Sequence, residues 1–151
     1  VKKFMESNNP ESMTTRNFDN ELMQFLENAG IQFEAKGHSW YKLKSEPYMD
    51  LTVEHWLSSK HIMTISVCHY GEQNGDLMKD PELVIKWNME SNEIRVEEFY
   101  QDYVGVVSTI FDEHGKVIPS KVVDLLSFAN DWGKNLKIQG HKIEEREVEL
   151  L

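Results

Sequence analysis

HIMTISVCHY, the run from His61 to Tyr70, decides the fold. Met63, Ile65 and Val67 alternate with Thr64, Ser66 and Cys68. An extended strand produces that period of two and a helix does not, so one side of this strand must face a core. Towards the N-terminus the same period runs through Tyr41 and Leu43, then through Leu51, Val53, His55 and Leu57. Towards the C-terminus it returns in Leu83, Ile85, Trp87 and Met89. Glu90-Ser91-Asn92-Glu93 reads as a turn and Ile94 and Val96 as the start of a returning strand, which predicts a hairpin. The β-branched stretch Val104 to Phe111 predicts one more strand, ended by Asp112-Glu113-His114-Gly115.

Helical periodicity brackets the strands. Thr14 or Thr15 is placed to cap a helix whose Phe18, Leu22, Phe25, Leu26 and Ala29 share a stripe, with Gly30 as its stop. Pro119-Ser120 opens a second, in which Val122, Leu125, Leu126, Ala129, Trp132 or Gly133, and Leu136 recur at helical spacing. Segments between strands are too short for parallel crossovers. The expected fold is therefore α+β: a mostly antiparallel sheet of about five to six strands with an N-terminal and a C-terminal helix on one face. Residues 1–13 read as a flexible arm and 14–140 as a single domain. Residues 141–151, rich in glutamate, read as a solvated acidic tail or short exposed helix.

Composition narrows the function classes. A chain of 151 residues with 40% hydrophobic and 28% charged residues can bury a core without staples. The single cysteine, Cys68, makes no use of an oxidising compartment. With no apolar run of membrane-spanning length, these features predict a cytoplasmic protein and no membrane partner. A formal charge of −10, with 16 scattered basic residues, argues against nucleic acid as a partner.

The segment from Cys68 to Glu82 is where chemistry is expected. It gathers His69, Glu72, Asp76, Asp80 and Glu82 between two strands and reads as an unusually long loop. A calcium loop counted from Glu72 fails, since Leu77 stands where glycine makes the turn and Leu83 where a bidentate glutamate belongs. A looser divalent site would use Glu72, Asp76, Asp80 and Glu82, with His69 as base. The competing account is that Gly71, Asn74, Gly75, Asp76 and Pro81 shape turns while the charges face water. His55, His61 and His69 share their strands' alternation, and three imidazoles on one face would suit zinc. Cys68 and His69 point to opposite faces of an extended strand, so the thiol reads as buried and inert. Nucleophile elbows, zinc-protease helices, paired Cys-x-x-Cys and phosphate loops are all missing. Trp40, Tyr41, Tyr48, Trp56, Trp87, Phe99, Tyr100 and Tyr103 are more large rings than one core readily hides.

His69-Tyr70-Gly71-Glu72-Gln73-Asn74-Gly75-Asp76, then Asp80-Pro81-Glu82, Phe99-Tyr100-Gln101-Asp102, and Trp132 with Asn135-Leu136 carry a resemblance. From about Phe18 to Leu136 the chain resembles an uncharacterised domain family of phages and integrative conjugative elements. It departs from that pattern at Gly71, where an aromatic is expected, and more loosely between Tyr103 and Phe111. The resemblance implies an accessory protein of a mobile element and transfers no catalytic residues.

Two functions follow as expectations. The first is a non-enzymatic module that binds another protein through Tyr70, Glu72, Gln73, Asn74, Asp76, Trp87 and Tyr100, with no cofactor. The alternative is a divalent-metal-dependent hydrolase or nuclease built on the 69–82 segment.

Overall fold

A computed structural model describes Phe18, residues 20–33 and residues 37–149. The expected arm and the Thr14 or Thr15 cap lie outside the described residues. The elements, in chain order, are α1 (Glu21–Asn28), β1 (His38–Lys44), β2 (Leu51–Leu57), β3 (Ile62–Gln73), β4 (Asp76–Asn88), β5 (Glu93–Gln101), β6 (Val106–Thr109), α2 (Pro119–Gln139) and β7 (Lys142–Glu149). The fold is α+β with an antiparallel sheet, and among the described residues that sheet has seven strands rather than five to six.

Strand order is β6-β5-β4-β3-β2-β1-β7. β1 to β6 form a meander in which each strand pairs with the next, as short connections require. The extra strand is β7, where a solvated tail or helix was expected. Only Ile143 and Val148 in β7 are partly buried, so it carries little apolar period. Its backbone pairs with β1 from His38 opposite Glu149 to Lys44 opposite Lys142. Charged side chains are what an exposed sheet edge tolerates, which is why this strand reads as a tail.

The supposed loop within 68–82 is also strand. β3 and β4 run to a two-residue turn at Asn74-Gly75, with φ of 54° and 86°. Positive φ at both positions is the turn that matches strand twist, and glycine adopts it without steric cost. The ladder slips opposite Asp80-Pro81, where proline has no N–H to offer.

Cross-strand register sorts the side chains into two faces. Tyr41, Val53, Val67 and Leu83 lie in register on one face, with Leu43, Leu51, Ile65 and Ile85 beside them, all fully or almost fully buried. Both helices cover that face. α1 buries Leu22, Met23, Phe25 and Leu26, and α2 buries Leu125, Ala129, Trp132, Gly133 and Leu136. α1 starts at Asn20, whose side chain accepts from Met23 N, and ends as the Ile31 N–H reaches Leu26 O beyond Gly30. Among the described residues no helix is long and apolar enough to cross a membrane.

Candidate functional site

The second face of the sheet has no helix over it among the described residues. Its side chains are those between the core positions: Trp40 and Lys42 in β1, Thr52, Glu54 and Trp56 in β2, Ser66, Cys68 and Tyr70 in β3, Glu82 and Lys86 in β4, Glu98 and Tyr100 in β5. Trp40, Trp56, Tyr70 and Tyr100 remain partly exposed there, where the corresponding core-side rings are sealed.

The middle of this face is a polar cluster held by its own contacts. Glu82 is buried, accepts a short hydrogen bond from Ser66 Oγ, and has Lys79 Nζ 3.5 Å from its Oε1. The same ammonium stands 4.3 Å above the centre of the Tyr100 ring, a cation–π geometry. Tyr100 in turn donates a short hydrogen bond to Glu98 Oε1, which with burial holds its phenol up to about 12. Burial, with Cys68 and Glu82 nearby, keeps the Tyr70 phenol well above its ordinary range. Burial and then Glu82 push the Cys68 thiol up to about 12, so it stays protonated and unreactive.

Beside the cluster the face becomes concave. A hollow of about 460 Å³ is lined by Trp40, Lys42, Asp50, Thr52, Glu54, Tyr70 and Leu77. A second, of about 280 Å³, lies between His38, Trp40, Glu54 and the end of β7. Trp40 and Glu54 line both, so the two hollows adjoin at that pair and together are called the groove.

The residues expected to bind scatter over three environments. Tyr70 and Tyr100 lie on the open face. Glu72, Gln73, Asn74 and Asp76 are exposed at the tip of the β3–β4 hairpin. Trp87 belongs to the core: it is 5% exposed, its ring stands 5.3 Å from Phe18 and 5.7 Å from Phe33, and its Nε1 donates to Asn92 Oδ1. It is therefore removed from the binding set.

The alternative metal set does not converge. His69 pairs with Leu51 on the helix-covered face, whereas Glu82 pairs with Cys68 on the open one. Asp80 accepts from Gln101 Nε2 at 2.7 Å, and Glu72 and Asp76 are at the distant tip. Among the described residues no three His, Cys, Asp or Glu side chains are grouped so as to hold a metal ion. The histidines also part company. His55 sits in the core, His61 lies 3.2 Å from Glu90, and His69 meets Trp132 edge-on and lies beside the tilted ring of His141.

His141, which sequence reasoning passed over inside the supposed tail, pairs with His69 to pin the β1–β2 turn. Nδ1 of His69 lies 2.8 Å from Asp50 O, and Nε2 of His141 lies 2.8 Å from Met49 O. A carbonyl only accepts, so each of these nitrogens carries its proton. In the sequence Trp40 is one ring among many, and Glu147 one carboxylate of the glutamate-rich C-terminal segment. Alternation with buried Ser39 and Tyr41 does place Trp40 on the opposite face, yet nothing local announces that β7 lies beside it.

Over residues 20–142 the chain matches a family model described as a domain of unknown function, DUF6908. Comparison with curated proteins and with solved structures finds no match.

Proposed function

The chain belongs to the DUF6908 family of domains of unknown function, and from that premise we propose that it is a non-enzymatic module that binds another protein through the open face of its sheet. The observation that carries this reading is the asymmetry between the two faces. One is filled by both helices, while the other keeps Trp40, Trp56, Tyr70 and Tyr100 partly exposed around a groove. Partly exposed Trp and Tyr supply large contact area at small cost in side-chain entropy, and they are enriched where proteins meet. The polar groups at the centre of the face are already tied to one another, which suits a rigid platform better than a reacting centre. Resemblance to phage and conjugative-element domains supports the further reading that the module is an accessory protein of a mobile element, acting on a partner without a cofactor.

The test is a complex. Tagged protein should co-purify a discrete partner, and the triple variant Trp56→Ala, Tyr70→Ala, Tyr100→Ala should lose it while still unfolding cooperatively. Retention of the partner by a folded triple variant would sink the open face as the binding surface.

A further inference from the structure

On the reading of the open face as a docking surface, we propose that its anchor point is the Trp40 indole between the Glu54 and Glu147 carboxylates, and that its occupant is an arginine-bearing basic segment of the partner protein. Register is the first observation. Trp40 pairs with Glu54 in β2 and with Glu147 in β7, so both carboxylates flank the ring on one face. Directly opposed residues on neighbouring strands have Cβ atoms roughly 4.5–5.5 Å apart, close enough for one bound group to touch all three.

Shape is the second. Trp40 lines a hollow on either hand, of about 280 Å³ towards β7 and about 460 Å³ towards Tyr70. Room on both sides fits a segment of chain crossing the indole better than a lone ion.

Charge is the third. Lys42 and Lys44 share Asp50 at 4.0 Å each, and they also face Glu145 and Glu144 at 4.0 and 3.5 Å. Glu147 and Glu149 have no ion-pair partner among the described residues. His38 Nε2 lies 2.7 Å from Glu54 Oε2, which leaves Glu54 Oε1 to accept from an incoming donor. Among the described residues the groove is thus lined by more carboxylates than cations, beside an aromatic face and inside a chain of net charge −10. A planar guanidinium fits both features, because it stacks on an indole while its forked donors reach carboxylates at the rim. A lysine ammonium, compact and strongly hydrated, satisfies the charge and forgoes the stacking.

The experiment is a titration of the full chain, followed by ¹H–¹⁵N correlation spectra, with the acetylated amide peptide Gly-Arg-Gly-Arg-Gly and its lysine and glutamate counterparts. The Trp40 indole signal is identified by its loss in Trp40→Phe. The arginine peptide should shift that signal saturably, the lysine peptide should bind several-fold more weakly, and the glutamate peptide should leave it unmoved. In the double variant Glu54→Gln, Glu147→Gln the affinity should drop tenfold or more. Should Glu54→Gln disturb folding through its His38 contact, Glu147→Gln alone, at an exposed edge position, carries the same test with a smaller drop.

A Trp40 signal that does not saturate, equal response to lysine, or undiminished affinity in the carboxylate variants would each overturn the proposal. The two readings fail separately. A partner lost from the Trp56, Tyr70, Tyr100 variant but kept by the Glu54, Glu147 variant leaves the binding module standing and removes the arginine anchor.

Discussion

His55 is fully buried between the Phe33 ring, 5.3 Å away, and the Tyr41 ring, stacked at 5.8 Å. Burial pushes its pKa from 6.5 down to about 4, and the neighbouring Gln32 backbone offsets only part of that. Burial also lowers the pKa of His69, beside His141. In both cases the unfolded chain takes up the proton at a higher pH than the folded one does. Stability is therefore complete above pH 6.5 and declines as the pH falls from there towards 4. For His55 alone the full loss is on the order of 3 kcal/mol. Urea unfolding at pH 7.5, 6 and 5 should show this decline, and His55→Leu should flatten it; the same slope in that variant would assign the effect to other groups. None of this was legible locally, because the alternation of β2 places His55 on the core face without saying which rings enclose it.

At the scale of elements, the crossing of α1 and α2 depends on one position. A Cβ on Gly133 would collide with the backbone of Glu21 and Leu22, and nearby Asn130 Oδ1 accepts from Glu21 N at 2.8 Å. Backbone cannot yield as a side-chain tip can, so Gly133→Ala should cost about 2–3 kcal/mol and lower the thermal midpoint clearly. Helical spacing in the sequence puts Trp132 or Gly133 on the buried stripe without choosing between them, and says nothing of the backbone of α1. The β3–β4 hairpin offers a second prediction. Gly75→Ala places a side chain at a φ of 86° and should cost about 1 kcal/mol or more in urea unfolding, while leaving the open-face groove intact. Here the signal is present: Asn-Gly between alternating runs is the sequence of a tight hairpin turn, and reading 68–82 as one long loop hides how far the strands extend towards it. A similar closeness stands at Gly71, where the Tyr103 ring packs so tightly that a Cβ would strike it. The ring that fills the space beside position 71 arrives from 32 residues along the chain.

For the molecule as a whole, a net charge of −10 opposes the compact state through self-repulsion, and salt screens that repulsion. The ion pairs that salt would also weaken are mostly half-exposed and contribute little. The thermal midpoint should therefore rise by a few degrees between about 20 and 500 mM sodium chloride, where the Debye length contracts from roughly 20 Å to about 4 Å. A fall would mean that the ion pairs outweigh the excess charge. The same balance between local and distant terms separates what could be read in advance from what could not. The α+β class, the antiparallel character of the sheet, both helices and the core-facing residues of the central strands follow from periodicity, because a period reports which residues of one segment share a face. The strand β7, the dispersal of the 69–82 carboxylates and the groove over Trp40 do not. Each depends on which segments lie side by side, and Glu147 reaches Trp40 only because α2 carries the chain back across the sheet to pair with β1. Local chemistry determined the elements; long-range pairing and the one-sided packing of the helices decided which of their residues meet in a site.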